Sequence, residues 1–160
     1  MGEMIKVGMA DLKVCHAPDN LTTIGLGSCI GIALYDPVTK VSGLAHIMLP
    51  DSTAIRNNSN IAKFADTGIK KLVDDMLKAG ASKSRLRAKI AGGAKMFEMT
   101  GASAINVGDR NAAASREMLK KLGIPLIAED CGKNFGRTVE LYSENGDFLI
   151  KAVGKTPYKI

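Results

Sequence analysis

The chain has 160 residues, of which 46% are hydrophobic and 24% charged, and its formal net charge is +6 at pH 7. This length and balance suit a soluble globular domain with its own core and exclude an intrinsically disordered chain. Aromatic residues make up only 4% and tryptophan is missing, which excludes the stacking surface of a single-strand nucleic-acid binder. The lysines are dispersed, so we expect the positive charge to attract an acidic protein rather than nucleic acid.

The sequence also indicates a compartment. No apolar run approaches the roughly 18 to 20 residues of a membrane span, and the first residues lack the basic segment and long apolar run of a secretory signal. Three cysteines without a CxxC motif argue against a disulfide framework. We expect a cytoplasmic protein with no membrane insertion.

Alternating apolar residues predict mainly β structure in the first third of the chain. Residues 4–16 are expected to be extended, and two strands over residues 21–27 and 29–36 meet at a glycine-rich turn. A third strand over residues 41–49 ends at Pro50. The short connections favour antiparallel pairing of these strands.

The clearest helix follows a polar loop over residues 51–60. Residues 61–79 carry apolar side chains on one face and lysines off it. We expect Ser59 or Asn60 to cap this helix and Gly80 to end it.

Further strands and one more helix complete the predicted fold. The second helix runs to Gly123 with Asp109 as its cap. Its predicted inward side chains are Ala114, Met118, Leu119 and Leu122. The remaining predicted strands cover residues 85–90, 104–108, 125–129, 138–142 and 148–153. About nine strands and two helices in mixed order predict one α+β domain over residues 1–160.

The stretch around Cys29 has the pattern of a presented nucleophile. An apolar run is broken by Gly25, Gly27 and Ser28, directly before the cysteine. Glycines allow the sharp turn that exposes such a side chain. The turn can also direct the Cys29 N–H at a developing oxyanion. The alternative is a cysteine that only fills space in the core.

His46 is the candidate base for this thiol. It lies in an apolar strand 17 residues after Cys29, and two adjacent strands would bring the two side chains together. A third group should fix the imidazole tautomer. Thr22, Thr23 and Ser28 remain open as oxygen-bearing candidates, and a carboxylate would have to come from farther away: Asp36 or Asp51.

Other reactive residues offer weaker sites. Cys15 and His16 are neighbours on a predicted strand and therefore point to opposite faces. Together with Cys131 they match no known metal-ligand spacing, so we expect no metal site. Gly92-Gly93 lacks the order of a phosphate-binding loop, and a turn with close backbone packing is the better interpretation.

Four stretches of the chain form a recognisable set. They are residues 23–29 (TIGLGSC), 45–51 (AHIMLPD), 90–97 (IAGGAKMF) and the Gly136-Arg137 loop. Together they resemble the CheD family, the chemoreceptor glutamine deamidases of bacterial and archaeal chemotaxis, over roughly residues 4–155. Lys133 departs from the pattern, because a second glycine is expected in that loop.

The resemblance implies a fold, a reaction and a catalytic triad. The fold is a layered α/β/β sandwich with mixed, largely antiparallel sheets, similar to glutamine-deamidating toxin domains. The triad maps onto Cys29, His46 and Thr23, so the family pattern selects Thr23 over Thr22. Cys29 would attack a receptor glutamine and form a thioester, releasing ammonia. No metal or organic cofactor is implied.

The resemblance also implies a second role in signalling. CheD proteins bind and stimulate CheC, a phosphatase of the phosphorylated response regulator. Gly92, Gly93 and Phe97 are the predicted contributors to that contact, although core packing of the phenylalanine is an equal alternative. Two competing functions remain: a mainly non-catalytic adaptor that regulates CheC, and a cysteine protease.

Overall fold

The computed structural model describes residues 2–96 and 106–160. Within these residues the chain forms ten strands and two α-helices. They are β1 (Met4–Val7), β2 (Asp11–His16), β3 (Asn20–Leu26), β4 (Ile30–Asp36), β5 (Val41–Ile47), α1 (Ala65–Lys78), β6 (Arg87–Gly92), α2 (Val107–Lys121), β7 (Leu126–Cys131), β8 (Arg137–Leu141), β9 (Phe148–Lys151) and β10 (Tyr158–Lys159).

The strands form two five-stranded sheets. The central sheet has the order β2-β5-β4-β6-β7, and the outer sheet has the order β1-β3-β8-β9-β10. Six of the eight strand pairs are antiparallel, whereas β1–β3 and β6–β7 are parallel. This confirms an α+β fold with mixed, largely antiparallel sheets.

Two apolar cores define three layers. In the first core, side chains of the central sheet such as Ile32 and Ile47 pack against α1 and α2. In the second core, the other face of the same strands packs against the outer sheet through residues such as Leu44 and Val139. The order is therefore helices, central sheet, outer sheet. Because β4 and β5 are covered on both faces, they are buried along their whole length and consist mostly of apolar residues.

The glycine-rich turn connects strands of different sheets. We predicted that the strands before and after it would pair, but β3 pairs with β1 and β8, while β4 pairs with β5 and β6. The β3 register shifts between Thr23 and Leu26, and Gly25 has a φ of 79°. The extra residue in this bulge bends β3 away from its ladder, and the chain crosses to the central sheet.

Both helices begin differently from the prediction. Asn60 caps a short 3-10 turn over residues 61–63, and α1 starts only at Ala65. Asn106, not Asp109, caps α2, and its side chain accepts a hydrogen bond from the Asp109 N–H. Residues 107–108 are therefore helical rather than extended, while residues 104–105 lie outside the described part of the chain.

The strand predicted over residues 125–129 extends further than expected. Asp130 and Cys131 belong to β7, because they pair in parallel with Ala91 and Gly92 of β6. The hairpin predicted near the C-terminus is confirmed as β8 and β9. In the part of the chain that the structure describes, neither helix has the length and apolarity needed to cross a membrane.

Candidate active site

Thr23 and His46 form a buried hydrogen-bonded pair between the two sheets. Both residues have 0% exposure. The Thr23 hydroxyl oxygen lies 2.7 Å from His46 Nδ1 and 2.8 Å from the carbonyl oxygen of Val7. The hydroxyl has one hydrogen, and a carbonyl can only accept, so the hydroxyl donates to Val7. His46 Nδ1 must then carry a hydrogen and donate it to Thr23.

This pair leaves the other ring nitrogen of His46 free to accept a proton. With the hydrogen on Nδ1, the neutral imidazole has its lone pair on Nε2. Within residues 2–96 and 106–160, Nε2 is buried and has no hydrogen-bond partner. The arrangement thus presents His46 as a base whose tautomer is set by a threonine.

Cys29 lies on the same face of the central sheet as His46. In the β4–β5 ladder, Gly31 is directly opposite His46. Cys29 precedes Gly31 by two residues and packs in the core between the sheets. Residues offset by two across a ladder are diagonal neighbours whose side chains can meet. Gly31 has no side chain, and Leu26 fills the space over it, because a Cβ at that position would lie 3.0 Å from Leu26 Cδ1.

Burial disfavours the charged form of both groups. Cys29 is 8% exposed. Burial raises the pKa of its thiol above the ordinary value, although its own backbone N–H opposes part of that shift. Burial also lowers the pKa of His46. The site therefore holds a buried thiol and a neutral imidazole on one face of the central sheet, and no hydrogen bond joins them among the described residues.

Gly92 and Gly93 pack against the turn that carries Cys29. Gly93 N donates to Cys29 O at 2.9 Å, and Ala94 N donates to Gly27 O at 2.8 Å. A Cβ on Gly92 would lie 2.2 Å from Cys29 O, so the close approach requires glycine. Both glycines are buried, which makes them supports of the turn rather than exposed surface. Phe97 lies outside the described residues.

Asn111 of α2 is a site residue that the sequence analysis missed. Its side-chain N–H groups donate to Ser28 O and to Met48 O, each at 2.9 Å. It is fully buried. In the sequence, Asn111 is an asparagine in an amphipathic helix. That pattern alone does not distinguish a solvent-facing side chain from one in a functional site.

The competing candidates lie elsewhere and have structural contacts. The Cys15 thiol is within 3.5 Å of the Ser143 hydroxyl, whereas His16 is exposed and contacts Ala79 O. Asp36 is bound to Arg85. In the described ranges, no three histidine, cysteine or acidic side chains are grouped as metal ligands would be. Of the open orienters, Thr23 alone contacts His46, since the Thr22 hydroxyl donates to Val139 O.

An open cleft of about 570 Å³ lies beside the turn, on the outer sheet. Ile24 and Gly25 line one side and Val153 another. Ile24 is 52% exposed and Val153 is 100% exposed. Cys29 and His46 do not line this cleft.

Comparison with known proteins identifies the family. Residues 48–152 match the family described as CheD chemotactic sensory transduction. A protein of Lachnoclostridium phytofermentans named "Probable chemoreceptor glutamine deamidase CheD" is 59% identical and covers 100% of both chains. A protein of the same name from Caldanaerobacter subterraneus subsp. tengcongensis is 58% identical over 95% of this chain and 94% of its own.

Among solved structures, the Bacillus licheniformis hypothetical protein YfiH has a TM-score of 0.48 and 17% identity, covering 80% of this chain and 58% of its own. The full-length sequence relatives confirm the resemblance seen in the motifs around Cys29 and His46. The chain belongs to the CheD family.

Proposed function

We propose that this protein is a cytoplasmic deamidase that converts glutamines of chemoreceptors to glutamates. The observation that carries the proposal is the buried 2.7 Å contact between Thr23 and His46 Nδ1, on the face of the central sheet that also carries Cys29. This geometry prepares Nε2 for proton transfer in acyl chemistry. The names of full-length relatives supply the substrate class.

The first half of the reaction transfers the glutamyl group to Cys29. His46 Nε2 takes the thiol proton as the sulfur attacks the side-chain carboxamide carbon, and the carbonyl oxygen becomes an oxyanion. The Cys29 N–H is the donor proposed for that oxyanion. When the carbon–nitrogen bond breaks, His46 returns its proton to the nitrogen, ammonia leaves, and a thioester remains.

The second half of the reaction hydrolyses the thioester. His46 Nε2 removes a proton from water, whose oxygen attacks the thioester carbon. The sulfur leaves, takes the proton back from His46, and a glutamate side chain is released. Each step uses only this chain's residues and water. The product replaces a neutral side chain on the receptor by an anion.

Purified chemoreceptor incubated with the enzyme provides the test. We expect ammonia release together with a gain of about one dalton per modified glutamine in receptor peptides, because an NH₂ group is replaced by OH. Cys29→Ala should abolish both, and Cys131→Ala serves as the matched cysteine control. Cleaved receptor would indicate a protease instead, and deamidation by Cys29→Ala would refute the nucleophile assignment.

We propose CheC as a second partner. The exposed Ile24 and Val153 beside the turn form an apolar surface of the kind that proteins use for contacts. Cys29→Ala should retain stimulation of CheC phosphatase activity, which separates the two roles. If instead CheC stimulation is present while wild-type protein releases no ammonia from receptors, the protein is chiefly an adaptor.

A further inference from the structure

The proposed oxyanion donor is the backbone amide of Cys29, and its direction is set by the peptide bond that precedes it. Among the described residues this N–H donates to no oxygen of another residue. The carbonyl of Ser28 belongs to the same peptide group, and that group is planar. Whatever holds the Ser28 oxygen therefore also aims the Cys29 N–H.

Asn111 holds that oxygen. Its side-chain nitrogen donates to Ser28 O at 2.9 Å. A hydrogen bond accepted by a carbonyl also polarises the peptide group, so the N–H at its other end becomes a stronger donor. The contact thus acts on both the orientation and the strength of the proposed oxyanion donor.

The second N–H of the Asn111 side chain binds the backbone just after β5, the strand that carries His46. It donates to Met48 O, also at 2.9 Å, just beyond His46 and the end of β5. Because both acceptors are carbonyls, the amide has one possible orientation, with nitrogen toward the two backbones. The oxygen, Oδ1, is buried without a partner among the described residues. One rigid group therefore joins the nucleophile turn to the base strand.

Two glycines bring Asn111 to this position. A Cβ on Gly108 would lie 2.4 Å from Gly93 O, and a Cβ on Gly93 would lie 2.8 Å from Gly108 O. The first turn of α2 consequently packs directly on the segment that supports the Cys29 turn. Asn111 lies one helical turn after Gly108, where its side chain reaches both carbonyls.

We propose that Asn111 is a positioning residue for catalysis, which orients and polarises the Ser28–Cys29 peptide so that its N–H stabilises the oxyanion. The inference rests on the proposed function. An asparagine suits this role because a single planar amide supplies two donors, whereas aspartate of the same shape supplies none.

The test compares a reaction that forms an oxyanion with one that does not. Deamidation of chemoreceptor needs the oxyanion donor, but alkylation of Cys29 by iodoacetamide displaces iodide and needs only the thiol. For Asn111→Ala we expect kcat for deamidation to fall about 10- to 100-fold. We expect KM and the rate of Cys29 alkylation, followed by peptide mass, to stay within about twofold.

Ser115→Ala is the matched control, because Ser115 is buried on the same helix and donates to Asn111 O at 2.7 Å without touching the turn. It should keep wild-type kcat. Unchanged kcat in Asn111→Ala, or a parallel fall in alkylation, would overturn the proposal. If Asn111→Ala does not fold, Asn111→Asp carries the same expectations, and failure of both to fold would assign Asn111 to folding alone. Absence of deamidation by the wild type would instead refute the proposed function.

Discussion

At the scale of single residues, the Thr23 hydroxyl sets the tautomer of His46. It accepts from Nδ1 and donates its only hydrogen to Val7 O. A carboxylate in this place would also stabilise a charged imidazolium, whereas a threonine fixes the tautomer without adding a negative charge. His46 therefore stays neutral between proton transfers, consistent with its lowered pKa.

Neighbouring threonines provide a matched test of this role. Thr22 and Thr23 each donate to a backbone carbonyl, but only Thr23 contacts His46. We predict that Thr23→Val lowers kcat by about 10- to 100-fold, because the imidazole loses the acceptor that fixes its tautomer. Thr22→Val should lower kcat by less than about twofold while losing a comparable hydrogen bond. Equal kcat for both variants would show that something else orients His46.

The pH dependence of Cys29 alkylation tests whether the resting pair is neutral. Burial raises the pKa of the Cys29 thiol and lowers the pKa of His46 from their ordinary values. We predict an alkylation rate at Cys29 that rises with pH through an inflection above the roughly 8.5 of a free cysteine. The kcat/KM for deamidation should stay level down to pH 6.5 and fall only below it, when His46 becomes protonated. Rapid alkylation near pH 5 would indicate a preformed thiolate–imidazolium pair.

At the scale of elements, a buried carboxylate at the end of β4 ties that strand to the turn before β6. Asp36 has 0% exposure and binds the Arg85 guanidinium. Burial alone would raise the pKa of Asp36, but the Arg85 hydrogen bonds and the N–H groups of Ser82, Val38 and Thr39 outweigh it and hold the pKa well below the ordinary value.

Because of the Asp36 carboxylate, the free energy of unfolding should fall as the pH is lowered. A depressed folded-state pKa adds stability that is fully present above the unfolded-state pKa near 4 and lost as pH falls below it. We predict that Asp36→Asn lowers the free energy of unfolding by about 2–3 kcal/mol at pH 7 and flattens its decline below about pH 4. Urea unfolding measures both. Asp74→Asn, in an exposed pair with Lys70, should cost less than about 0.5 kcal/mol; equal losses would contradict the assignment.

Lys133, the residue that departs from the family pattern, lies in the loop between β7 and β8. Lys133 has a φ of 64°, a left-handed conformation that favours glycine. Lys133 therefore adopts the backbone conformation of the glycine that the family pattern predicts at this position.

We predict that Lys133→Gly leaves the free energy of unfolding unchanged or raises it by up to about 1 kcal/mol, since relief of backbone strain offsets the extra freedom of the unfolded chain. Gly132→Ala is the opposite change beside it. Gly132 has a φ of 83° and open space at its Cβ, so only backbone strain should act, at about 1 kcal/mol. Thermal unfolding would contradict this if Lys133→Gly proved the less stable variant.

At the scale of the whole molecule, the sequence predicted the composition of the layers better than their connections. Periodicity identified α1, β4, β5 and the β8–β9 hairpin, because burial on one or both faces leaves a local pattern. It could not show that the turn before Cys29 changes sheets, since a strand's pattern is the same in either sheet. The start of α2 was also missed, because Gly93 meets Gly108 through a contact between distant segments.

In the candidate site too, the sequence indicated residues with a local pattern but not those defined by contacts between distant segments. Cys29 and His46 were selected as candidates from their local context and from the turn chemistry. The choice between Thr22 and Thr23 depended on which face of β3 meets His46, and residues alone did not settle it. Asn111 could not be selected from the sequence. Its side chain binds two backbone carbonyls, at Ser28 and Met48, that only the folded chain brings together.

The proposed reaction requires that the receptor glutamine acylates Cys29. The direct measurement is an acid quench during turnover with purified chemoreceptor, followed by digestion and mass spectrometry, because a thioester survives acid. We predict a glutamyl peptide attached to Cys29 that has lost the elements of ammonia, and no such adduct with His46→Ala. An adduct on Cys15 or Cys131, or continued deamidation by Cys29→Ala, would contradict the claim.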